Sequence, residues 1–540
     1  MKKYFSYFFR SVAPYRWSLI GAVFCSFILA GCSFVFVWLS KALIDTATGH
    51  AKGQLVVLGA AFAAVLLVRI GTRSLRSWLL AHCSVKMKNA MRQHLFDSIL
   101  QMTATARGKM HSGDIVNRLE GDVGAAASAF SGTVPNLVGT VLQLGVAVTY
   151  LLILDARLAW LMIVIVPTGL FAARYVMHKL REMTKDIRKN DSLVQSHIQE
   201  SVQHQSLIKT MEYDNQSSSS LTELQSDLYE KTMRRTGFSI AANIISSLCF
   251  SGSYALAFLW SVSGIAAGTI TYGLMTAFLQ LVNQVQRPLA EMGDQLPTLF
   301  HCSASIDRLL ELEHMEKEEF CDPVLLDGVC GIRVEDLSFR YEPGEKMIFE
   351  HFNHDFKPGS KTALVGTTGV GKTTLIKLML SLLKPESGSI RFYSERSAPE
   401  TASPATRCNL VYVPQGNSLL SGTVRDNLLM GDPDADEEKM KDALYTAAAD
   451  FVLESPDGLD RECSEAGGGF SEGQAQRIAI ARGLLRPGSI LLLDEFSSAL
   501  DPNTETLLLE RLCERRPEAT VIFITHREQI AHYCDFVLKL

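Results

Sequence analysis

The stretch Gly366–Thr374, GTTGVGKTT, has the spacing G-x-x-x-x-G-K-[ST] that is typical of a phosphate-binding loop. Lys361–Val365 before it predicts a short buried strand, and Leu375–Lys384 after it predicts a helix that leaves the loop. Glycines let the backbone turn several N–H groups inward, and the helix N-terminus adds partial positive charge. We therefore predict that nucleotide is bound by Gly366, Thr367, Gly369, Val370, Gly371, Lys372, Thr373 and Thr374.

Polar side chains follow two further predicted strands. The pattern of Gly488–Glu495 indicates a buried strand that ends in Asp494 and Glu495, and the apolar run Thr520–Ile524 is followed shortly by His526. Ligands of doubly wound sheets bind at the carboxyl ends of the strands, so we expect these side chains to converge on the loop. The alternative is that the carboxylates cap a helix and that the histidine is structural.

This convergence would suit phosphoryl transfer from a nucleotide to water. Lys372 would reach the β- and γ-phosphates, and the Thr373 hydroxyl would bind Mg²⁺. Asp494 suits Mg²⁺ through its water shell, and Glu495 suits the attacking water. His526 suits a polar contact to the γ-phosphate.

The first half of the chain is strongly apolar. Of the 540 residues, 47% are hydrophobic, and the segments long enough to cross a bilayer lie before residue 290. The short turns between some of them carry little charge, whereas two connections of about fifty and sixty residues are rich in Lys and Arg. The predicted spans are Trp17–Ser40, Leu55–Leu80, Val134–Leu154, Ala156–Met177, Gly237–Val262 and Ile265–Val285.

The basic N-terminal flank and the basic long connections place the N-terminus and these connections in the cytoplasm. An even number of spans returns the chain to that side, where nucleotide is available. For any single span the alternative is a buried helix of a soluble protein. Arg69 and Arg73 lie within or near the second span, where they would line a substrate pathway or reach out to the interface.

Composition also excludes some classes of function. The net charge of −5 predicts no nucleic-acid-binding surface. The eleven cysteines are scattered and lack a C-x-x-C pair, so we interpret them as reduced packing residues.

The fold class that follows has two domains. We predict an all-α six-helix transmembrane domain over residues 1–310, an acidic linker over 311–331, and an α/β P-loop nucleotide-binding domain over 332–540.

Several short motifs follow one another in the second half. They are Ser338–Tyr341 (SFRY), Tyr412–Gln415 (YVPQ), Ser464–Gly467 (SEAG), Phe470–Gln474 (FSEGQ) and Ser498–Asp501 (SALD). Together with the phosphate loop and the apolar first half, this order resembles the ATP-binding cassette (ABC) transporters. The closest likeness is to an exporter-type half-transporter, in which one membrane domain is fused to one nucleotide-binding domain.

This resemblance implies roles for further residues. Tyr341 matches the aromatic residue that stacks on adenine, and Gln415 matches the glutamine that meets Mg²⁺ and senses the membrane domain. FSEGQ stands where the family has L-S-G-G-Q, so Ser471, Gly473 and Gln474 would bind ATP held by a partner subunit. Asp501 matches the loop after the catalytic glutamate. ATP and Mg²⁺ are the implied cofactors.

The implied assembly is a dimer that sandwiches each ATP between one phosphate loop and the partner's signature motif. Glu472 replaces a signature glycine, which leaves open a homodimer or an asymmetric heterodimer. Segments Ser112–Leu119 and Leu207–Asp214 are candidates for the parts of the long connections that contact the cassettes, and Tyr213 is a candidate contact to the partner.

The resulting hypothesis is ATP-driven transport of an unidentified solute, in contact with membrane lipid and without nucleic acid. The resemblance suggests a bacterial inner membrane with the nucleotide-binding domain in the cytoplasm. A membrane-anchored regulatory ATPase that moves no solute is the alternative.

Overall fold

The computed structural model describes residues 7, 9–51, 53–108, 110–154, 156–319, 321–367, 369–464 and 468–540. The chain divides into two compact units, Met1–Asp97 with Ser112–His314 and Ser98–His111 with Met315–Leu540. The domain limits expected from the sequence remain a prediction. The segment Ser98–His111 groups with the second unit, which the sequence did not suggest.

The first unit consists of helices in the part of the chain that is described. Long apolar runs without proline or glycine clusters favour helices of this length, because such segments satisfy their backbone hydrogen bonds internally. The helices up to the linker are α1 Arg16–Ala47, α2 Leu55–Leu100, α3 Ala104–Gly108, α4 Ser112–Asn117, α5 Val123–Ser128, α6 Val134–Leu154, α7 Ala156–Gln203, α8 Gln205–Thr210, α9 Asp214–Ala266 and α10 Tyr272–Glu313; α3 belongs to the second unit.

Helices α1, α6, α9 and α10 share a hydrophobic core in the first unit. Val37 of α1, Leu151 of α6 and Phe278 of α10 are almost fully buried there. Two π-helical turns, Arg118–Asp122 and Ala129–Thr133, flank the short helix α5. Asp122 binds Arg308 of α10 by ion pairing, which ties this irregular stretch to the last helix of the unit.

Four helical stretches of the described residues are long and apolar enough to cross a membrane, namely Phe9–Ala47, Leu55–Leu100, Ser112–Leu154 and Asp214–Ala266. They contain the first, second, third and fifth predicted spans. The fourth predicted span lies in α7, whose side chains from Ala156 to Tyr175 are outside the description. The sixth runs from the end of α9 into α10, where Gln280, Asn283, Gln284 and Gln286 lower the hydropathy.

The second unit combines two sheets with helices. Its strands are β1 Cys330–Phe339, β2 Phe349–Phe356, β3 Lys361–Val365, β4 Ser387–Ser394, β5 Glu400–Thr401, β6 Leu410–Val413, β7 Gly422–Thr423, β8 Glu462–Cys463, β9 Ile490–Asp494, β10 Thr520–Ile524 and β11 Phe536–Lys539. Its helices after the linker are α11 Lys372–Met379, α12 Val424–Leu429, α13 Glu437–Thr446, α14 Asp450–Leu453, α15 Glu472–Leu484 and α16 Pro502–Arg515.

The main sheet has the strand order β11-β3-β10-β9-β6, and each of its pairings is parallel. A second, antiparallel sheet has the order β2-β1-β4-β5, which the sequence analysis did not anticipate. Every residue of β9 and β10 is buried, as expected for central strands covered on both faces. The α/β character of the second half is therefore confirmed.

Two element boundaries differ from the sequence prediction. The helix predicted over Leu375–Lys384 begins at Lys372 and ends at Met379. The strand predicted over Gly488–Glu495 covers only Ile490–Asp494. It stops at Asp494, because the next residue, Glu495, adopts φ +45°, which is outside the β region of the backbone.

A backbone clasp joins two parts of the second unit that are distant in sequence. Met102 pairs with Lys317 as an isolated antiparallel bridge, and the Glu318 N–H donates to the carbonyl of Gln101 at 2.7 Å. The Glu318 carboxylate then accepts two hydrogen bonds from Arg407, at 2.7 and 2.9 Å. Residues 316–318 thereby bind both the 98–111 segment and the body of the second unit.

Candidate functional site

The phosphate loop follows β3 and leads directly into α11. Gly369 and Gly371 have φ of +87° and +114°, values that residues with a Cβ rarely adopt. A Cβ on Gly371 would also lie 2.6 Å from a methyl carbon of Ile348. The side chain of Lys372 is nearly buried and donates to the carbonyl of Gly366, so its ammonium group lies over the loop. Thr368 lies outside the described residues.

Strand register brings the acidic residues to the same edge of the sheet. In the parallel ladders Ile524 of β10 is paired with both Asp494 of β9 and Leu364 of β3. The carboxyl ends of these three strands are therefore level, and Glu495 and the phosphate loop follow immediately. This geometry is the convergence expected from the sequence.

Asp494 lies deep in this edge, with 2% of its surface exposed. Burial and the neighbouring Glu495 raise the pKa of its carboxyl group, while hydrogen bonds from Thr373 and Tyr412 favour the ionised form. The Thr373 hydroxyl and the Asp494 carboxylate thus lie together, and oxygen ligands of this type are those that Mg²⁺ prefers.

No cluster of three or more His, Cys, Asp or Glu side chains suited to a metal occurs among the described residues. Proteins commonly bind Mg²⁺ through one or two carboxylates, water and substrate phosphates rather than by an all-protein cage, so the predicted Mg²⁺ site does not require such a cluster.

The side chain of Glu495 is held between two of the other predicted catalytic residues. Gln415 donates its amide to one carboxylate oxygen at 2.5 Å, and His526 Nδ1 lies 4.0 Å from the other. The Glu495 N–H donates to the carbonyl of Ile524 at 3.0 Å, which fixes the backbone in its left-handed conformation. A non-glycine residue with such a φ is uncommon and often marks a functional position.

Tyr341 lies beside the first turn of α11, the helix that follows the phosphate loop. Its hydroxyl is 3.2 Å from the Thr374 hydroxyl, and its ring packs edge-on against Phe339 with 5.2 Å between centroids. With 47% of its surface exposed, the ring has a face available for stacking. Thr367 and Val370 complete the loop, since the Val370 N–H donates to the Thr367 carbonyl at 3.3 Å.

The signature residues form a different part of the second unit. Ser471 is the N-cap of α15: its hydroxyl accepts from the Gln474 N–H at 3.3 Å, and the Gln474 side chain accepts from the Ser471 N–H at 3.0 Å. Ser471 and Glu472 are exposed. Gly473 is buried, and a Cβ there would lie 2.5 Å from the carbonyl oxygen of Ala499.

Asp501 caps α16 in a similar way, accepting from the N–H groups of Asn503 and Thr504 at 3.1 Å. Among the described residues, no hydrogen bond or ion pair joins Ser471, Gln474 or Asp501 to the phosphate loop of the same chain. The chain therefore holds two groups of predicted nucleotide contacts that share no hydrogen bond or ion pair among the described residues. Residues 465–467 of the SEAG motif lie outside the description.

Sequence reasoning missed three side chains that support the site. Tyr412 hydrogen-bonds Asp494, and Gln476, which is fully buried, donates to the Glu495 carbonyl at 3.2 Å. Glu505 is 3% exposed and accepts from Arg527, the residue after His526, at 2.8 Å. Little in the sequence distinguishes Glu505, because it is one acidic residue in the first turn of an amphipathic helix.

Comparison with known proteins identifies the two halves. Residues 19–289 match the family model of the ABC transporter transmembrane region, and residues 349–498 match that of the ABC transporter. The first match alone covers half of the chain.

Relatives align over most of their length. The chain is 26% identical to the ATP-dependent lipid A-core flippase of Vibrio vulnificus, over 97% of this chain and 91% of that protein. It is 26% identical to the fatty acid ABC transporter ATP-binding/permease protein of Mycobacterium tuberculosis, over 83% of this chain and 71% of that protein.

The fold is similar to that of a bacterial Atm1-family ABC exporter with ATP bound. The TM-score is 0.80 at 21% sequence identity, over 97% of this chain and 93% of that chain. The fused helical and α/β units, the phosphate loop and the two family matches lead to one conclusion. The chain belongs to the ABC transporter family, as a multi-pass membrane protein that binds ATP and couples its hydrolysis to transport across the membrane.

Proposed function

We propose that the chain works as a homodimer of half-transporters in which each ATP is bound by the phosphate loop of one subunit and the signature residues of the other. The observation that carries this is that, among the described residues, the signature residues form no hydrogen bond or ion pair with the phosphate loop of the same chain. A completed site then needs a second copy, and a symmetric dimer supplies both halves twice. Glu472 is compatible with this arrangement because it is an exposed carboxylate in the first turn of α15, where a helix favours negative charge.

Each residue near the nucleotide has a proposed role. Lys372 and the loop N–H groups hold the β- and γ-phosphates, Tyr341 stacks on the adenine, and Glu495 orients the attacking water. His526 contacts the γ-phosphate from the end of β10.

Thr373, Asp494 and Gln415 would hold Mg²⁺, which when bound neutralises charge on the phosphates. The domain limits in this proposal are 1–310, 311–331 and 332–540.

The direction proposed is export from the cytoplasm across a bacterial inner membrane, with the α/β unit on the cytoplasmic side. Names of relatives that refer to lipid A-core and fatty acids support an amphiphilic cargo with an acidic group.

The test is ATP turnover of the protein purified by itself in lipid nanodiscs. Glu495→Gln should lower turnover about 10²-fold or more, because it removes the group that activates water. Glu518→Gln, an exposed carboxylate of the same unit, is the matched control and should leave turnover unchanged.

Mixed dimers separate the homodimer from the alternatives. Combining wild-type chains with Glu495→Gln chains should reduce turnover more than dilution alone, because sites in one dimer depend on each other. Lack of any turnover by the single purified chain would contradict the homodimer, and unchanged turnover of Glu495→Gln would contradict the assigned chemistry. Vesicles that show ATP-dependent cargo movement would exclude a regulatory ATPase.

A further inference from the structure

The first unit contains a polar cavity of about 330 Å³ that the sequence analysis did not locate. It lies between α1, α2, α6 and α10, and its size is at the lower end of the range for small-molecule sites. The residues that line it are Ser26, Leu29, Ala30, Arg76, Asn136, Gly139, Thr140, Gln143, Glu291 and Gln295. We call it the Arg76 cavity.

Arg76 is held in this cavity by neutral partners. Its Nε donates to the Ser26 hydroxyl at 2.9 Å, and its Nη2 donates to the Asn136 side-chain oxygen at 2.7 Å. The Ser26 hydroxyl in turn donates to the carbonyl of Ala22, so it is oriented to accept from Arg76. These contacts fix the guanidinium without neutralising its charge.

The charge of Arg76 is not balanced by an acidic neighbour in direct contact. Within the described residues, no carboxylate oxygen lies within 4.0 Å of its guanidinium. Glu291, which also lines the cavity, forms its ion pair with Arg287 at 2.9 Å and attracts Arg76 only at longer range. A guanidinium has five N–H donors, and two of them are used by Ser26 and Asn136. An arginine so placed suits a phosphate group, which it can bind through two parallel hydrogen bonds.

Gln295, which lines the cavity, carries an acceptor that lacks a donor. The side-chain oxygen Oε1 of Gln295 is buried, and the described part of the chain gives it no hydrogen-bond partner. A buried acceptor in this state is costly, so a ligand that donates an N–H or O–H would stabilise it.

Glycine at 139 keeps the guanidinium close to α6. A Cβ on Gly139 would lie 3.1 Å from the Ser26 hydroxyl and 3.3 Å from Arg76 Nη2. A side chain there would press on the hydrogen bonds that orient Arg76. Helices α1, α2, α6 and α10 all contribute to this arrangement. It consists of Arg76, the small residue Gly139, the neutral acceptors of Ser26 and Asn136, and the unpaired acceptor of Gln295.

The depth of the site suggests which molecules reach it. Arg76 lies roughly 30 Å along α2 from Leu55, at 1.5 Å per residue. If α2 enters the bilayer near Leu55, Arg76 lies close to the opposite interface, at the level of lipid head groups. In the proposed orientation this is the cytoplasmic leaflet.

We propose that the Arg76 cavity binds the head group of the cargo, a phosphate ester that also carries N–H or O–H donors, with the phosphate on Arg76 and a donor on Gln295. This inference rests on the proposed transport function and names its substrate class. Phosphatidylethanolamine and phosphatidylglycerol have this chemistry, as do the free head groups phosphoethanolamine and glycerol phosphate. Phosphatidylcholine has the phosphate without the donor.

The experiment measures how these probes change ATP turnover in phosphatidylcholine nanodiscs. Phosphatidylethanolamine or phosphatidylglycerol is mixed into the disc in one arm, and phosphoethanolamine or glycerol phosphate is added to the solution in the other. Stimulation in the first arm alone identifies a lipid cargo, and stimulation in the second identifies a free phosphate ester. Absence of stimulation in both arms would overturn the inference.

Variants then test the assigned contacts through the probe concentration that gives half of the maximal effect. Arg76→Gln should raise it about tenfold or more, the usual range for losing a hydrogen bond to a charged group. Gln295→Leu should raise it for donor-bearing probes and reduce their advantage over phosphatidylcholine. Lys86→Gln is the matched control, because it removes one exposed positive charge ten residues from Arg76 on α2, and it should behave as the wild type.

Folding is checked by the rise in thermal midpoint that ATP causes in each variant. If Arg76→Gln fails this check, Arg76→Lys keeps the charge without the planar fork and should show a smaller rise of the same concentration. The inference would be contradicted if the half-maximal probe concentration were the same for the wild type and Arg76→Lys and were also unchanged in Gln295→Leu. Failure of the proposed function is recognised separately, because Glu495→Gln would then leave turnover unchanged.

Discussion

The two candidate sites of this protein are built in opposite ways. The nucleotide site takes its side chains from the ends of adjacent parallel strands and from the loops that follow them, so each contributor belongs to a short contiguous motif. The Arg76 cavity takes its side chains from four helices that are far apart in sequence. Changes at the first site should therefore act on chemistry directly, whereas changes at the second should act on cargo recognition.

The largest effect is expected at Asp494, in the nucleotide site, where a change should act on chemistry directly. Asp494→Asn should lower ATP turnover by about 10²-fold or more, because the proposed Mg²⁺ ligand would lose its charge. The same change should raise the thermal midpoint of the nucleotide-free protein, since it removes a buried carboxylate whose ionisation is opposed by burial and by Glu495. Turnover and differential scanning fluorimetry on the same preparation measure both.

The pH dependence of this effect has a definite sign. A carboxyl group whose pKa is raised in the folded state binds more protons there than in the unfolded chain, so stability falls as pH rises above the unfolded value of about 4. The midpoint of Asp494→Asn should therefore exceed that of the wild type more at pH 7.5 than at pH 5. A lower midpoint for Asp494→Asn at both pH values would contradict the argument.

An intermediate effect is expected at Glu505, which acts through another residue. Its carboxylate accepts a hydrogen bond from Arg527, which directly follows His526, a proposed contact to the γ-phosphate. Glu505→Gln should lower kcat about tenfold and leave KM for ATP nearly unchanged, because it loosens His526 without touching the nucleotide.

Glu510→Gln, an exposed carboxylate on the same helix, provides the matched control. A purely structural Glu505 would instead lower thermal stability and leave the kcat of the folded fraction as in the wild type.

The smallest expected effect is a difference in stability between two glycine-to-alanine variants, one in each unit. Gly473→Ala should destabilise the second unit by about 1–3 kcal/mol, since the added Cβ would lie 2.5 Å from the Ala499 carbonyl oxygen and force a shift. Gly124→Ala, on helix α5 with no atom within 4 Å of the new Cβ, should be neutral or slightly stabilising. Thermal unfolding of the two variants measures the difference, and equal midpoints would contradict the packing argument.

Prediction from sequence succeeded where structure and function share a contiguous pattern. The strands Lys361–Val365 and Thr520–Ile524 were predicted to the residue, because a buried central strand is a short apolar run with clear ends. The placement of Asp494 and Glu495 beside the loop followed from the rule that ligands lie at carboxyl ends of parallel strands.

It failed where a residue's role depends on which helices become neighbours. The sequence left a pathway or an interfacial position open for Arg69 and Arg73 and did not single out Arg76. In the structure Arg69 lies over the ring of Phe36 at 5.0 Å, Arg73 is exposed, and Arg76 lines the cavity. Helical periodicity shows which residues share a face but not what that face meets. The same limit hid Tyr412, whose partner Asp494 is more than eighty residues away.

The left-handed backbone at Glu495 has a consequence for the shape of the catalytic edge. Consecutive residues of a strand project to opposite faces of a sheet, so a regular continuation of β9 would send Glu495 away from the side that Asp494 serves. The positive φ at this one position bends the chain sharply. The side chains of Asp494 and Glu495 can then both face the carboxyl edge of the sheet. A side chain that branches at Cβ is disfavoured at a positive φ. Valine, isoleucine or threonine at 495 would therefore destabilise the fold in addition to removing the carboxylate.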